Sequence, residues 1–209
     1  MMLEKPFTEF LTELSGPAPV PGGGGASAAC GALAAALASM VASLTTGKKK
    51  YAQYEEDICR ILKESREAVQ DLTALADEDA KAFAPLAAAY GLPKSTPEEI
   101  AAREAVMKQA LYDASIAPLT IMERVLDVIL LIEEVAECGS VMAISDAGVA
   151  AVFAQAALKG ASLNVFINTK SMKDRAVAAE LNEKTLALIA DGEERTDRVF
   201  SKVMKKLEN

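Results

Sequence analysis

Apolar side chains between residues 51 and 90 recur at intervals of three and four, which is the spacing of one face of an α-helix. This pattern predicts one long amphipathic helix, which Pro85 could bend. No alternating run of β-branched residues in the sequence is long enough to predict a strand. The apolar stripe must therefore pack against other helices, and its members are Ile58, Ile61, Leu62, Val69, Leu72, Leu75, Ala76, Phe83 and Leu86.

Further helices are expected on both sides of this one, over residues 7–14, 26–44, 97–117, 119–138 and 145–160 and in a long final segment. The helix over 26–44 consists of small residues, which let a neighbouring helix approach closely. With 209 residues the chain suffices for one domain. We therefore expect an all-α, single-domain bundle of about six to seven helices over residues 1–209, including long antiparallel helices.

Local signals predict where several helices begin and end. Thr96, followed by Pro97 and Glu99, forms a capping-box pattern that starts a helix. Pro118 is expected to break or kink that helix, so that residues 119–138 form another. Asp146, with the serine before it, is most simply the N-cap of the next helix.

The composition excludes several classes of function. The sequence has no histidine, which removes serine–histidine triads, imidazole acid–base catalysis and most zinc chemistry. Its three cysteines, Cys30, Cys59 and Cys138, are far apart, so we expect no disulfide framework, no metal site and a reducing compartment, the cytoplasm. A net charge of −8 argues against a nucleic-acid partner.

One uncharged run, over residues 20–46, is long enough to cross a bilayer. It begins with Pro and Gly and continues mainly with Ala, Ser and Gly, so its hydropathy is weak for a membrane span. We therefore expect no membrane association, and a membrane-bound helix bundle stays as the alternative.

Four successive glycines form the first candidate site. Gly22, Gly23, Gly24 and Gly25 open the small-residue helix, where bare backbone amides can bind a carboxylate or phosphate. Neither the Rossmann nor the Walker pattern is present around them. The alternative interpretation is a flexible hinge.

Polar residues at three further places form the other candidates. Asp79 lies on the apolar stripe, where desolvation would raise the pKa of its carboxyl group; alternatively it is a buried Asp paired with a lysine or capping a helix. Lys48 and Lys49 could hold an anionic group or supply a proton, or could be solvated at a helix end. Asn164 and Asn168 could bind polar ring edges or be satisfied structural amides.

Taken together, several motifs in order along nearly the whole chain resemble one family, the cyclodeaminase/cyclohydrolase family, which includes the cyclodeaminase half of formiminotransferase-cyclodeaminase and bacterial methenyl-tetrahydrofolate cyclohydrolases. The motifs are PGGGG at 21–25, LASMV at 37–41, GKKK at 47–50, DEDAKAF at 77–83, LPKSTPEE at 92–99, CG at 138–139, SD at 145–146 and GASLNVFIN at 160–168.

The resemblance implies a homodimer acting on a one-carbon unit of tetrahydrofolate. Because the sequence contains no formiminotransferase domain, we rank methenyltetrahydrofolate cyclohydrolase first, which opens the methenyl bridge with water to 10-formyltetrahydrofolate. Formiminotetrahydrofolate cyclodeaminase, which releases ammonia and gives the methenyl compound, is the alternative. A non-catalytic folate-binding helical protein is the second alternative.

The resemblance also implies roles for the candidate residues. Asp79 would be the general acid and base, with Lys48 as its cationic partner. The four glycines would orient the pterin or glutamate tail together with Lys49, Asp146, Asn164 and Asn168. The folate, polyglutamylated or not, would be a substrate, and no cofactor is expected. We further predict dimerisation through the helix over 26–44.

Overall fold

The computed structural model describes residues 1–208, and within them the regular elements are all helical, as expected. The last residue of the expected domain, Asn209, lies outside the described residues. Three short 3-10 helices, Met2–Glu4, Lys49–Tyr54 and Val141–Ala143, accompany the α-helices. The α-helices are α1 (Phe7–Leu14), α2 (Gly23–Ser43), α3 (Glu55–Tyr90), α4 (Pro97–Cys138), α5 (Ile144–Ser171) and α6 (Arg175–Leu207).

The long helices share a continuous apolar core. Helix α2 packs against α3, α4 and α5, and α6 packs against α4 and α5. Short connections join consecutive long helices, so that neighbours along the chain run antiparallel. The start of α2, the end of α3, the start of α4 and the end of α5 therefore lie at one end of the bundle. The largest fully buried core side chains include Ile58, Ile61, Leu72, Ile121, Met122, Ile129, Ile132 and Leu158.

The small residues of α2 allow close helix packing, as the sequence predicts. A Cβ atom on Gly31 would lie 2.8 Å from Cγ2 of Val125 on α4 and 3.3 Å from Cδ1 of Leu72 on α3. Because protein interiors are close-packed, a side chain here would force the three helices apart. Glycine at this position therefore sets the spacing of the central helices.

Helix α4 continues through Pro118, and the predicted break there is wrong. Proline has no N–H group, so the carbonyl of Ala114 one turn earlier loses its helical donor. Asn168 on α5 supplies the missing hydrogen bond, donating from Nδ2 to that carbonyl oxygen at 2.7 Å. The side chain of another helix therefore satisfies the backbone group that the proline leaves free.

One predicted helix start is confirmed, and both predicted bounds of α5 are corrected. The Thr96 hydroxyl accepts a hydrogen bond from the Glu99 amide at 3.2 Å, completing the expected capping box. Helix α5 begins at Ile144 after an N-cap, Ala143, that makes no side-chain cap, so Asp146 lies in the first turn and is not the N-cap. Helix α5 also continues without interruption beyond its expected end at Gly160.

Two helices, over Gly23–Ser43 and Val141–Ser171, are long and apolar enough to cross a bilayer by length and composition. In the bundle, 56% of the most apolar 18-residue stretch of the first helix is buried, and 50% of that of the second helix is buried. Burial in a protein core therefore accounts for about half of this apolar surface, and the remainder faces outward.

Candidate active site

The glycine run forms the first turn of α2, which begins at Gly23, earlier than the predicted start at residue 26. Gly22 is the N-cap in an extended conformation, and its carbonyl accepts a hydrogen bond from the Ala26 amide at 3.0 Å. The amides of Gly23, Gly24 and Gly25 precede the first intrahelical hydrogen bond, so they have no acceptor within the helix. Helix geometry thus gives this turn donors that a ligand can use.

Asp79 lies directly against this turn. A Cβ atom built on Gly24 would overlap the carboxyl group of Asp79, with Oδ1 only 2.5 Å away. Any side chain at position 24 would displace the carboxyl group or the helix start. The contact between these two residues therefore requires glycine, and it joins two candidates that are distant in sequence.

The Asp79 carboxyl group is half-buried, and burial raises its pKa to about 6. It forms no hydrogen bond or salt bridge with the rest of residues 1–208, so the structure does not support the alternative of an aspartate paired with lysine. By contrast, Asp77 accepts hydrogen bonds from the Met2 amide at 3.0 and 3.2 Å. Asp79 is therefore a carboxyl group that can exchange protons near neutral pH.

Asn164 lies beside the same glycine turn. A Cβ atom on Gly23 would lie 3.3 Å from its Nδ2 and 3.4 Å from its Oδ1. Nδ2 donates to the carbonyl of Gly160 at 3.0 Å, which fixes the orientation of the amide. Among the described residues Oδ1 has no donor, so it can accept a hydrogen bond from a ligand.

Ser27 and Gly160 complete the packing around the turn, and the sequence analysis did not identify either as a site residue. The Ser27 hydroxyl donates to the carbonyl of Gly23 at 2.7 Å. It also lies 2.5 Å from the position that a Cβ atom on Gly160 would occupy. The sequence signal available was a serine four residues after Gly23, on the next turn of the helix.

Asn168 does not share the role expected of Asn164. Its side chain is 8% exposed, and its amide donates to Ala114 on α4. This supports the structural alternative for Asn168, namely a satisfied amide that joins two helices.

The remaining candidates lie at the other end of the bundle. Lys48 and Lys49 follow the C-terminal end of α2, about 28 Å from Gly24 at 1.5 Å per residue. Asp146, in the first turn of α5, is about 27 Å from Asn164 by the same measure. Within one chain, the structure therefore does not bring these three residues to Asp79.

Hydrogen bonds join the segment after α2 to the connection between α4 and α5 at the end of the bundle that carries Lys48 and Lys49. The amide of Ser140 donates to the hydroxyl of Thr45 at 2.8 Å, and the amide of Val141 donates to the Tyr51 hydroxyl at 3.1 Å. That backbone hydrogen bond lowers the pKa of Tyr51. The Nζ of Lys50 lies 5.5 Å from the centre of the same ring. The lysine-bearing turn is thus anchored to the connection between α4 and α5.

The Asp79 site combines a proton-exchanging carboxyl group, backbone amide donors and one amide oxygen. Such a set can transfer protons and hold a polar ligand. Over residues 1–208, no group of three Cys, Asp or Glu side chains is arranged to hold a metal ion.

Several known proteins are similar to this chain over most of its length. The family model for formiminotransferase-cyclodeaminase matches residues 6–187. A methenyltetrahydrofolate cyclohydrolase of Methylorubrum extorquens is 44% identical over 198 residues, which cover 95% of each protein. The formimidoyltransferase-cyclodeaminase of Rattus norvegicus is 32% identical over 99% of this chain, which spans 38% of that longer protein.

A solved structure shows the same fold. The formiminotetrahydrofolate cyclodeaminase of Thermotoga maritima is 30% identical, and the alignment covers 99% of this chain and 98% of that one. The TM-score of 0.81 extends the similarity over the whole helical arrangement. The match of the family model, the identity to full-length relatives and the common fold agree with the resemblance noted in the sequence, and this chain belongs to the formiminotransferase-cyclodeaminase family.

Proposed function

We propose that this protein is a methenyltetrahydrofolate cyclohydrolase, which opens the methenyl bridge with water to give 10-formyltetrahydrofolate. The observation that carries the proposal is the unpaired Asp79 carboxyl group against the glycine turn. The 44% identity to the Methylorubrum extorquens cyclohydrolase, over 95% of both proteins, supports this reaction ahead of the alternatives.

Asp79 would act as base and then as acid. With a pKa of about 6, most Asp79 is ionised at neutral pH and can take a proton from water. The oxygen of that water attacks the bridging carbon and forms a tetrahedral intermediate. Asp79 then returns the proton to the folate nitrogen whose bond to the carbon breaks, and the hydroxyl proton leaves to solvent as the carbonyl of the formyl group forms on the other nitrogen.

The charge of the site suits this substrate. The methenyl bridge is a cationic amidinium, opposite in charge to the ionised Asp79 carboxylate. The carboxylate can therefore attract the reacting carbon and its two nitrogens. The amides of Gly23 and Gly24 and the Oδ1 of Asn164 would hold the polar edges of the pterin ring, and the glycines at 22 and 25 shape the turn.

A second subunit would complete the site. Exposed apolar side chains form one stripe on α2 and one on α5, and α2 has no charged residue. The stripes reach Leu163 beside Asn164, so a subunit docked there would adjoin the Asp79 site. The stripe residues are Leu33, Met40 and Leu44 on α2 and Val149, Val152, Leu163 and Ile167 on α5.

A homodimer with its two-fold axis perpendicular to α2 would place the α2 helices of the two subunits antiparallel to each other. The end with Lys48, Lys49 and Asp146 in one subunit would then meet the Asp79 end of its partner. Within one chain, the length of α2 separates the lysine-bearing end from the glycine turn by about 28 Å. This arrangement would bring the two ends together across the dimer. The homodimer, formed through the predicted α2 surface, would thereby supply the cationic partner of Asp79.

The three cysteines support a proposal for the cellular compartment. All three are free, and burial raises the pKa of the Cys30 and Cys138 thiols, which keeps these thiols protonated and unreactive. We place the protein in a reducing compartment, the cytoplasm, acting on folates with one or several glutamates.

Formiminotetrahydrofolate cyclodeaminase is the second candidate, favoured by the TM-score of 0.81 to the Thermotoga maritima enzyme. Both reactions form a tetrahedral carbon between the folate nitrogens, so the same carboxyl group could serve either. A folate-binding protein without catalysis is the remaining alternative.

One pair of assays separates these candidates. Purified protein is given methenyl- or formiminotetrahydrofolate, and the absorbance of the methenyl compound and the release of ammonia are followed. We expect methenyl absorbance to decay faster than in buffer, with little ammonia released from the formimino compound. Faster ammonia release would favour the cyclodeaminase, and buffer rates in both assays would leave only the binding protein.

A further inference from the structure

A cavity of about 800 Å³ lies between the first half of α4 and the connection from α5 to α6. Its apolar lining includes Met107 and Leu111 of α4 and Met172 at the end of α5. Arg103 and Lys108 line the same cavity. The volume is in the range of small-molecule sites, which are mostly apolar with a few polar groups.

Arg103 has no partner in this cavity. Its Nε is shielded from solvent and forms no hydrogen bond among residues 1–208. A buried guanidinium N–H without an acceptor is unfavourable, so proteins normally supply one. The absence of a protein acceptor at Arg103 therefore points to an acceptor from a ligand.

The acidic residues at the cavity are already engaged. Glu104 forms an ion pair with Lys173, and Asp174 accepts a hydrogen bond from the Val177 amide at 3.2 Å as the N-cap of α6. Neither neutralises Arg103. The cavity thus combines a free guanidinium with an apolar wall.

We infer that this cavity binds a carboxylate on an apolar or aromatic body, with the carboxylate on the Arg103 guanidinium. The planar guanidinium matches a carboxylate with two parallel hydrogen bonds, and Lys108 adds a second positive charge. Met107, Leu111 and Met172 contact the apolar body. This site is separate from the Asp79 site, since Met172 lies about 12 Å beyond Asn164 along α5.

Two sources can provide this carboxylate. One is the glutamate tail of a folate bound at Asp79, in which case the inference rests on the proposed function. The other is an independent aryl carboxylate that occupies the cavity alone. Both present the same chemistry to Arg103.

Calorimetric titration of the intact protein with 4-aminobenzoylglutamate tests the site without any turnover. We expect binding to the wild type and a dissociation constant about tenfold higher or more in Arg103→Gln and Arg103→Met, since a charged hydrogen bond is lost. Lys63→Gln is the matched control, because Lys63 is an exposed cation on α3 outside the cavity, and its affinity should equal that of the wild type.

Arg103→Met also guards against misfolding. It removes the unpaired buried Nε, so this variant should melt no lower than the wild type while losing the probe. If the wild type fails to bind the probe at millimolar concentration, or if both Arg103 variants bind it as tightly as Lys63→Gln does, the inference is overturned.

A competition arm identifies the source of the carboxylate. The titration is repeated with the protein saturated with 5-formyltetrahydrofolate, which is stable in solution. Loss of probe binding assigns the cavity to the folate tail, and unchanged binding assigns it to an independent ligand; both support a carboxylate site. Failure of the proposed reaction would leave the effect of Arg103 on the probe unchanged, so the two failures are distinguishable.

Discussion

Gly24 and Asp79 approach so closely that a methyl group on Gly24 would lie 2.5 Å from Oδ1 of the Asp79 carboxyl group. The start of α2 and the later part of α3 therefore meet where the half-buried Asp79 carboxyl group lies against the glycine turn. The absence of a side chain at position 24 is what permits this arrangement.

Gly24→Ala should lower kcat/KM by about a hundredfold, because displacing a reacting group by about 1 Å costs that much. Gly91→Ala is the control, since a Cβ atom there would make an ordinary contact at 3.5 Å with the Ala88 carbonyl. Initial rates of methenyl absorbance decay measure both. Equal rates for the two variants would show that the close contact has no part in the reaction.

Asp79→Asn should make the protein more stable at neutral pH. The folded-state pKa of about 6 lies above the ordinary aspartate value of 3.8, so the folded protein binds more protons between these values and its stability falls as pH rises through them. The ionised carboxyl group therefore costs about 1–3 kcal/mol at pH 7, which asparagine avoids.

Thermal unfolding of the wild type and Asp79→Asn at pH 7 and near pH 4 tests whether the ionised Asp79 carboxyl group destabilises the folded protein. The difference in free energy of unfolding should be large at pH 7 and should shrink near pH 4, where Asp79 is protonated in the folded protein and partly protonated in the unfolded chain. An Asp79→Asn variant less stable than the wild type at pH 7 would contradict the burial of an unpaired charge.

Asn168→Ala should destabilise the fold by about 1–3 kcal/mol, because it leaves the Ala114 carbonyl without a donor. In a Pro118→Ala background the amide of residue 118 can serve that carbonyl, so the same change should cost less. A double-mutant cycle of urea unfolding gives the coupling between the two positions, and a coupling of zero would contradict the compensation.

Subunit mixing tests the composite site. Asp79→Asn and Lys48→Ala homodimers should each be nearly inactive, and subunit exchange should restore about a quarter of wild-type activity, since half of the dimers are mixed and each has one intact site. Light scattering measures whether the purified protein is a dimer, as this prediction requires. No recovery after demonstrated exchange would place Lys48 outside the Asp79 site of the partner.

Local patterns were sufficient to predict most of the fold. The spacing of apolar residues predicts α3, and the Thr96 capping box predicts the start of α4, because both depend on neighbours along the chain. The continuation of α4 through Pro118 could not be predicted this way, since the compensating donor, Asn168, lies on another helix.

Local sequence patterns likewise predict only part of the site. The unfavourable position of Asp79 on an apolar stripe and the row of glycines were visible in the sequence, and the structure brings them together. The different surroundings of Asn164 and Asn168 were not visible, because identical side chains one turn apart face different helices. The distance of Lys48 from this site likewise depends on how α2 is placed in the bundle.

The pH dependence of methenyltetrahydrofolate hydrolysis tests the role of Asp79 most directly. Buffer-corrected kcat/KM should rise tenfold per pH unit below about pH 6 and level off above it, because a base must be ionised to act. In Asp79→Asn the rate should fall at least about a hundredfold and lose this dependence. Activity within threefold of the wild type, with the same pH profile, would contradict the assignment of Asp79 as the catalytic base.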